Sequence, residues 1–201
     1  MTDAAVNQNG SESRTPSSLL ERVRMHDRTA WARLVGVYGP TVYGWCRRAG
    51  LQPADAADVG QEVFAAVARA IDGFRHDRAG DTFRGWLRVI TRNKLIDHSR
   101  RRQKQPEAQG GTEAHRQFQQ LAEQDLPEDS QEDLGRLYHR ALELVRGEFE
   151  ARTWEAFWRA AVEGQSPALI AADLGVTPAA VRKAKSRVLH RLREEVGDLI
   201  A

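Results

Sequence analysis

The sequence predicts an all-α protein: two small helical domains joined by an acidic, flexible linker, the second domain containing a helix-turn-helix. Three observations support this fold class. Apolar residues recur at helical spacing on both sides of residues 103–133, with no alternating run long enough for a strand. Gly and Pro cluster at the breaks between these stretches. The segment 103–133 is rich in Gln, Glu, Gly and Pro and has few large apolar residues, which is typical of a linker.

The distribution of charged residues divides the chain at nearly the same positions as the helical pattern. Residues 19–103 carry 16 Lys and Arg against 9 Asp and Glu, residues 104–150 carry 5 against 11, and residues 151–201 carry 8 against 6. Two basic parts separated by an acidic part suggest two modules that face a polyanion. We therefore expect a disordered tail over 1–18, helical domains over 19–102 and 134–201, and a linker over 103–133.

Composition excludes several classes of protein. Cys46 is the sole cysteine, so no disulfide can form within the chain, and the six histidines lack the paired spacing of a zinc site. The first eighteen residues have neither the basic start nor the apolar run of a signal peptide, and no later stretch approaches membrane-spanning length. We expect a soluble, cytoplasmic protein with no cofactor, no metal and no membrane insertion.

Capping and breaker residues predict the individual helices. In the first half, the expected helices run from a cap at Ser17 or Ser18 to Gly39–Pro40, then to Gly50, from about Ala54 to Ile71, and from about Phe83 to Arg102, with a loop over Gly73–Thr82. In the second half, they run from about Leu134 to Glu148 and from about Ala151 to Glu163, followed by two short helices divided at Gly175.

The segment 166–193 has the pattern of a helix-turn-helix. Gly175 supplies the unrestricted backbone that a tight turn needs, Thr177 is a good N-cap, and Pro178 suits the first position of a helix. No acidic residue lies between Asp173 and Glu194, so the second helix has a basic outer face. Such a face could bind phosphates and base edges in the major groove, and the alternative is an ordinary solvated surface.

Two helices of the first half carry patterned charge. Asp55, Asp58 and Glu62 fall within one narrow arc, which suggests a basic protein partner, although a solvated face is an equal alternative. The helix from Phe83 has arginines at four-residue spacing beside Trp86. Arginines that bind phosphates, together with the rings of Phe83 and Trp86 for unpaired bases, would make a single-strand binding surface. The alternative places both rings in the core.

These segments together resemble an extracytoplasmic-function sigma factor of the sigma-70 family of bacterial RNA polymerase. The resemblance rests on DAADVGQEVF from Asp55, FRGWLRVITRNKLIDHSRRR from Phe83 and the helix-turn-helix. It implies a transcription initiation factor, not an enzyme, that directs core polymerase to promoters and promotes strand opening. The implied partners are promoter DNA and the polymerase core, through the clamp of the β′ subunit and the flap of the β subunit. An anti-sigma protein is one open route of control.

The resemblance also implies roles for individual residues. Binding to core polymerase would use Asp55, Asp58, Gln61, Glu62 and Phe64. Recognition and melting of the −10 element would use Trp86, Arg88, Arg92, Asn93, Asp97, Arg100 and Arg101, with an extruded base held by the loop from Phe74 to Thr82. Recognition of the −35 element would use Thr177, Ala179, Arg182, Lys183, Ser186 and Arg187.

The chain departs from the family pattern at several positions. Gly60 lies inside the predicted docking helix, where it costs roughly 0.5–1 kcal/mol relative to Ala. Leu169 stands where the family commonly has Glu, and Val145–Arg146 replaces a usual Leu-Pro pair. An unusual aromatic cluster, for which we expect a packing role, comprises Trp154, Phe157 and Trp158.

Two other classes of function remain as alternatives at this point. A stand-alone helix-turn-helix regulator would bind duplex operator DNA tightly by itself, and would require neither the acidic arc nor the helix with Arg and Trp. A nucleic-acid enzyme could hold Mg²⁺ on Asp55, Asp58 and Glu62. The sequence lacks a phosphate-cradling Gly-rich loop and a recognisable nucleophile motif, which disfavours the enzyme.

Overall fold

A computed structural model describes residues 18–75, 82–103, 126 and 129–200. Within these residues the chain is helical and contains no strand, so the predicted all-α class is confirmed. A 3₁₀ turn over Ile71–Gly73 follows the third helix. The α-helices are α1 (Leu19–Arg24), α2 (Arg28–Arg48), α3 (Pro53–Ala70), α4 (Phe83–Gln103), α5 (Gln131–Arg146), α6 (Ala151–Ala161), α7 (Pro167–Leu174) and α8 (Pro178–Ile200).

The first predicted helix is two helices in the structure. Ser18 caps α1 through a capping box with Glu21, as the sequence predicts. The chain then turns at His26, whose φ of 59° lies in the left-handed region, and Asp27 caps α2 by accepting hydrogen bonds from the next backbone amides. A hydrogen bond from Arg22 holds the pKa of Asp27 below its ordinary value. Asp27 therefore caps a second helix at a position where the sequence pattern alone predicts one continuous helix.

The expectation that Gly39–Pro40 ends a helix is wrong, because α2 continues through Pro40 to Arg48. A proline inside a helix costs about 3 kcal/mol through a lost hydrogen bond and a clash with the carbonyl four residues earlier. Burial of large side chains on both sides of Pro40 offsets this cost at about 1.5–3 kcal/mol each. The buried side chains of α2 around this point are Leu34, Val37, Tyr38, Val42, Trp45 and Cys46.

The core of the first half is built around aromatic rings. Phe83 is fully buried and its ring centroid lies 5.2 Å from that of Tyr38, 5.7 Å from that of Phe74 and 5.6 Å from that of Trp86. Phe83 is therefore a core residue and not a base-stacking one. Cys46 lies in the same core, where burial raises the pKa of its thiol to about 12.

The second half begins three residues before the expected helix. Ser130 and Asp133 form a capping box, so that Gln131–Asp133, assigned to the linker from the sequence, make the first turn of α5. A hydrogen bond from Arg136 is the main reason why the pKa of Asp133 falls to about 2. At Gly175 the chain adopts φ 61° and ψ 41° between α7 and α8, which is the left-handed conformation that glycine tolerates best.

Helices of the second half pack against helices of the first. The largest apolar cluster contains Leu137 and Ala141 of α5 and Val196 of α8 together with the core of α1 to α4. Two smaller clusters lie within the second half, one around Trp154 and Phe157 and the other between α7 and α8. The division into two domains stays a prediction. Most of the predicted linker and tail lies outside the described residues.

Replacing Gly60 by alanine should stabilise the protein by about 0.5–1 kcal/mol. Gly60 lies inside α3, and a Cβ at this position would have no neighbour within 4 Å, so that only the helix propensity changes. Thermal unfolding followed by circular dichroism should show a melting temperature higher by a few degrees. The matched control is Gly164→Ala, which also adds a methyl group into open space but at a φ of 69°, and should destabilise. A lower melting temperature for Gly60→Ala would contradict the expectation.

Candidate nucleic-acid interface

Helix α8 presents an exposed basic face. Its inner side packs Val181 and Ala184 against Ile170 of α7, and the Ala180 amide donates a hydrogen bond of 3.1 Å to the Thr177 hydroxyl at the start of the helix. The packing turns the six residues predicted to recognise the −35 element outward, and all six are exposed: Thr177, Ala179, Arg182, Lys183, Ser186 and Arg187. The structure thus brings these residues together on one surface.

The cations of this face differ from Arg191, which lies further along the same helix. Across the described residues, no ion pair engages Arg182, Lys183 or Arg187, whereas Arg191 further along α8 binds two carboxylates. Hydrogen bonds to Glu148 and Glu195 raise the pKa of Arg191 above its ordinary value. The first part of α8 therefore keeps its positive charge available for an external anion, while its last part is used in packing.

Helix α4 carries the residues predicted to recognise the −10 element. Asn93, Asp97, Arg100 and Arg101 are exposed, and Trp86, Arg88 and Arg92 are half-buried. Trp86 lies at the start of this surface, where its ring centroid is 5.0 Å from that of Phe74. Because its indole is only half-buried, part of the ring can receive an unpaired base.

The N-terminal end of the predicted base-holding loop is anchored to α1. Arg24 donates a hydrogen bond of 2.7 Å to the Phe74 carbonyl, and its guanidinium carbon lies 6.0 Å from the centre of the Phe74 ring. The structure describes this loop only at Phe74, Arg75 and Thr82, and residues 76–81 lie outside it. Phe74 therefore gives the N-terminal end of the loop a fixed position beside Trp86.

Acidic residues of α3 predicted to bind polymerase pair directly with arginines of α4. Glu62 of α3 accepts two hydrogen bonds of 2.8 Å from Arg101 of α4, and Asp55 lies 2.9 Å from Arg102. The sequence patterns place the acids and the arginines on two separate surfaces. In the structure they form one seam, a row of ion pairs between α3 and α4. Burial lowers the pKa of His98, which interacts with the charges of the same seam. Exposed pairs of this kind contribute about 0.2–1 kcal/mol each, so a partner can exchange them easily.

The remaining residues predicted to bind polymerase lie beside a groove. Asp58 and Gln61 are exposed, and half-buried Phe64 packs edge-on against Trp31 with their ring centroids 6.3 Å apart. The groove between α2 and α3 has a volume of about 530 Å³ and is lined by Trp31, Tyr43, Gln61 and Phe64 among others. An apolar groove on the same helix as an exposed acid suits a protein partner that is basic and partly apolar.

A second groove lies on the other half of the chain. It has a volume of about 880 Å³ and is lined by Phe149, Trp154 and Trp158, with acidic side chains on α5 and α6. Phe157 is buried, which agrees with the expected packing role of the aromatic cluster, but half-buried Trp158 opens onto the groove. Sequence reasoning missed this surface, although three aromatic residues within five positions were its signal.

Two features of the described residues bear on other functions. No helix there is long and apolar enough to cross a membrane. No group of three or more His, Cys, Asp or Glu in the same residues could hold a metal ion. Asp55 and Glu62 of the acidic arc are paired instead with Arg102 and Arg101.

Comparison with known proteins identifies relatives of the chain. Residues 34–105 match the family model described as Sigma-70 region 2. The chain is 33% identical over 176 residues to the ECF RNA polymerase sigma factor SigE of Mycolicibacterium smegmatis, covering 86% of this chain and 62% of that protein. It is 32% identical over 117 residues to the ECF RNA polymerase sigma factor SigW of Bacillus subtilis, covering 55% of this chain and 60% of that protein. The chain thus spans about three fifths of the length of these relatives.

The matched region contains both surfaces of the first half. Residues 34–105 include the whole of α3 with its acidic arc and the whole of α4 with its arginines and Trp86. The similarity to SigE covers most of the chain. With the exposed basic face of α8, these findings agree with the resemblance seen in the sequence. Residues 34–105 thus match sigma-70 region 2, and the chain is similar over most of its length to an extracytoplasmic-function sigma factor of that family.

Proposed function

We propose that the chain is a transcription initiation factor that directs RNA polymerase core to promoters and promotes DNA strand opening. The observation that carries this proposal is the exposed face of α8, where the cations Arg182, Lys183 and Arg187 have no ion pair within the described residues. A basic helix that follows a tight turn is the arrangement with which many proteins enter the major groove. In this proposal α8 reads the −35 element.

Helix α4 recognises the −10 element and binds its melted strand. Support comes from the half-buried indole of Trp86 beside exposed polar residues such as Asn93 and Arg100. Stacking of a base on an aromatic ring contributes about 1–3 kcal/mol, which offsets part of the cost of unpairing. The chain contributes binding energy to strand opening, and bond formation belongs to polymerase. The sigma-70 family is in general not enzymatic.

Two grooves are proposed as contacts with the polymerase core. The acidic arc and the groove beside Phe64 bind the clamp of the β′ subunit, because exposed Asp58 and the groove residues Gln61 and Phe64 lie on the same helix. The aromatic groove at Trp154 and Trp158 binds the flap of the β subunit, because its volume admits an apolar segment of a partner. The two contacts lie on different halves of the chain, so a polymerase that holds both would position both halves.

A reconstituted holoenzyme tests the proposed function. Purified full-length chain is mixed with core polymerase, the genomic DNA that the complex retains is sequenced, and run-off transcription is measured on the enriched fragments. We expect transcripts that start at a common motif and that require both the chain and the core. Tight binding of the free chain to duplex DNA without any association with core would instead support a stand-alone regulator.

Replacing Asp58 by lysine should weaken the binding of core polymerase about 5- to 30-fold, which corresponds to about 1–2 kcal/mol. Asp58 is exposed in the middle of the acidic arc, so the substitution reverses charge on the surface without disturbing the core. Affinity is measured by titrating core into labelled chain at two salt concentrations. The matched control is Asp72→Lys, an equal charge change at an exposed position of the 3₁₀ turn. Equal affinities of the two variants would place the clamp contact elsewhere.

A further inference from the structure

Two arginines of α6 bind α7, the first helix of the helix-turn-helix. Arg152 donates a hydrogen bond to the backbone carbonyl of Leu174, the last residue of α7. Arg159, whose side chain is 16% exposed, donates a hydrogen bond of 2.7 Å from Nε to the Gln165 side chain. Its Nη2 donates another to the carboxylate of Asp173. The contacts of Arg159 thus flank α7, since Gln165 lies just before this helix and Asp173 lies near its end.

The spacing of the two arginines explains how both reach one helix. They are seven residues apart, which is close to two helical turns, so they lie on the same face of α6 about 10 Å from each other. Helix α7 has eight residues and is about 12 Å long. Carbonyls at the C-terminal end of a helix lack partners within that helix, and a guanidinium is a strong donor to them. Arg152 and Arg159 therefore form a polar clamp on α7, the α6 clamp.

Apolar packing alone defines the position of α7 weakly. The buried cluster between α6, α7 and α8 comprises Ala156, Ile170, Ala171, Val181 and Ala184. Three of these five residues are alanines, whose methyl groups bury little apolar area. Because helices fit together through the ridges that their side chains form, small side chains leave their relative position loosely specified. The directional hydrogen bonds of the α6 clamp then decide which position α7 takes.

The position of α7 sets the position of α8. Three residues, Gly175, Val176 and Thr177, separate the two helices. Gly175 has a left-handed backbone, and the Val176 amide donates a hydrogen bond of 3.0 Å to the Ala171 carbonyl. The Thr177 hydroxyl accepts the hydrogen bond that begins α8. Because each residue of this short turn has a defined conformation or hydrogen bond, a displacement of α7 on α6 would move the exposed face of α8 with it.

We propose that Arg152 and Arg159 are positioning residues for recognition of the −35 element, and that they act through α7 without contacting DNA. This inference rests on the proposed function, in which α8 reads that element. Hydrogen bonds to base edges carry the sequence information, and they require placement of the side chain to within about 0.5 Å. Phosphate contacts tolerate larger displacements, because the attraction between charges falls slowly with distance. Loss of the α6 clamp therefore reduces discrimination between DNA sequences more than affinity for DNA in general.

Hydrogen exchange of the full-length free chain tests the α6 clamp without DNA or polymerase. In the double variant Arg152→Met/Arg159→Met, the backbone amides of residues 170–176 should exchange about 5-fold faster or more, while those of α4 keep their rates. The matched control Arg69→Met/Arg193→Met removes the same charge at exposed positions away from α7, and should leave both segments unchanged. Equal exchange of residues 170–176 in the two double variants would refute the clamp.

DNA binding by the reconstituted holoenzyme tests the positioning role. Because Arg159 also borders the aromatic groove, binding is measured at saturating core polymerase. The probes are a DNA fragment enriched by the wild-type holoenzyme and the same fragment with its upstream element scrambled. The double variant should lose about 10-fold or more in discrimination between the two fragments, with little change in affinity for the scrambled one. Unchanged discrimination would overturn the proposal. A salt slope lower by about 0.9 per arginine would also overturn it, since it would show direct phosphate contacts.

The single variant Arg159→Lys keeps the test valid if the double variant unfolds. A lysine is a point charge without the guanidinium fork, so it can bind Gln165 or Asp173 but not both at once. We expect intermediate exchange rates and intermediate discrimination, and wild-type values for both would refute the role of Arg159. If the wild-type holoenzyme does not distinguish the two fragments, the proposed reading of DNA by α8 fails, while the exchange rates still decide whether the α6 clamp holds α7.

Discussion

Replacing Phe83 by alanine is expected to lower the free energy of unfolding by about 3–5 kcal/mol. The side chain is fully buried, and it contacts the rings of Tyr38, Phe74 and Trp86 in mutual edge-on and tilted geometry. Its removal leaves a cavity at the point where α2, α4 and Phe74 meet. Urea denaturation followed by circular dichroism at 222 nm measures the change.

Phe83→Leu is the matched control for this prediction. Leucine fills most of the same volume without aromatic contacts, so the expected loss falls to about 1–1.5 kcal/mol. If Phe83 were instead a base-stacking residue on the surface, the alanine variant would keep its stability and lose only promoter melting. A loss of less than about 1 kcal/mol for Phe83→Ala would contradict the core position.

Local signals explain why the helices could be predicted. Ser18, Thr177 and Gly175 act through hydrogen bonds or backbone angles within a few residues, and each has the role that its sequence context predicts. The sequence wrongly predicts a helix end at Pro40, because the effect of this proline depends on the burial of side chains around it. The cost of a proline is a local quantity, while the side chains that offset it pack against residues far away in the chain. The rule that a proline ends a helix therefore fails where buried apolar residues continue on both sides of the proline.

The candidate site shows the same limit. Exposure of the face predicted to read the −35 element follows from the helical period alone, because Val181, Ala184 and Val188 of α8 are buried on the other side. The pairing of Arg101 with Glu62 depends on how α3 crosses α4, which no local pattern encodes. Glu195 lies among Arg191, Arg193 and Glu194 in the sequence and resembles any solvated acid. Only the packing of α8 on α1 and α2 distinguishes it from Glu194.

The largest functional effect is expected from removing the cations of α8. In the triple variant Arg182→Ala/Lys183→Ala/Arg187→Ala, the affinity of the holoenzyme for a promoter duplex should fall at least about 100-fold. All three side chains are exposed, and the described residues provide no ion pair for them, so that the folded structure loses little. Filter binding or fluorescence anisotropy at a series of salt concentrations measures the affinity.

The salt dependence distinguishes direct contact with DNA from an indirect effect. Each lost phosphate contact lowers the slope of log affinity against log salt by about 0.9, so the triple variant should lose about 2–3 units of slope. The control triple Arg28→Ala/Arg69→Ala/Arg193→Ala removes equal charge at exposed positions outside the −35 face and should change the slope by less than one unit. A fall in affinity at constant slope would mean that α8 acts through folding or polymerase binding. A slope that falls equally in both variants would mean that net charge, and not this face, attracts the DNA.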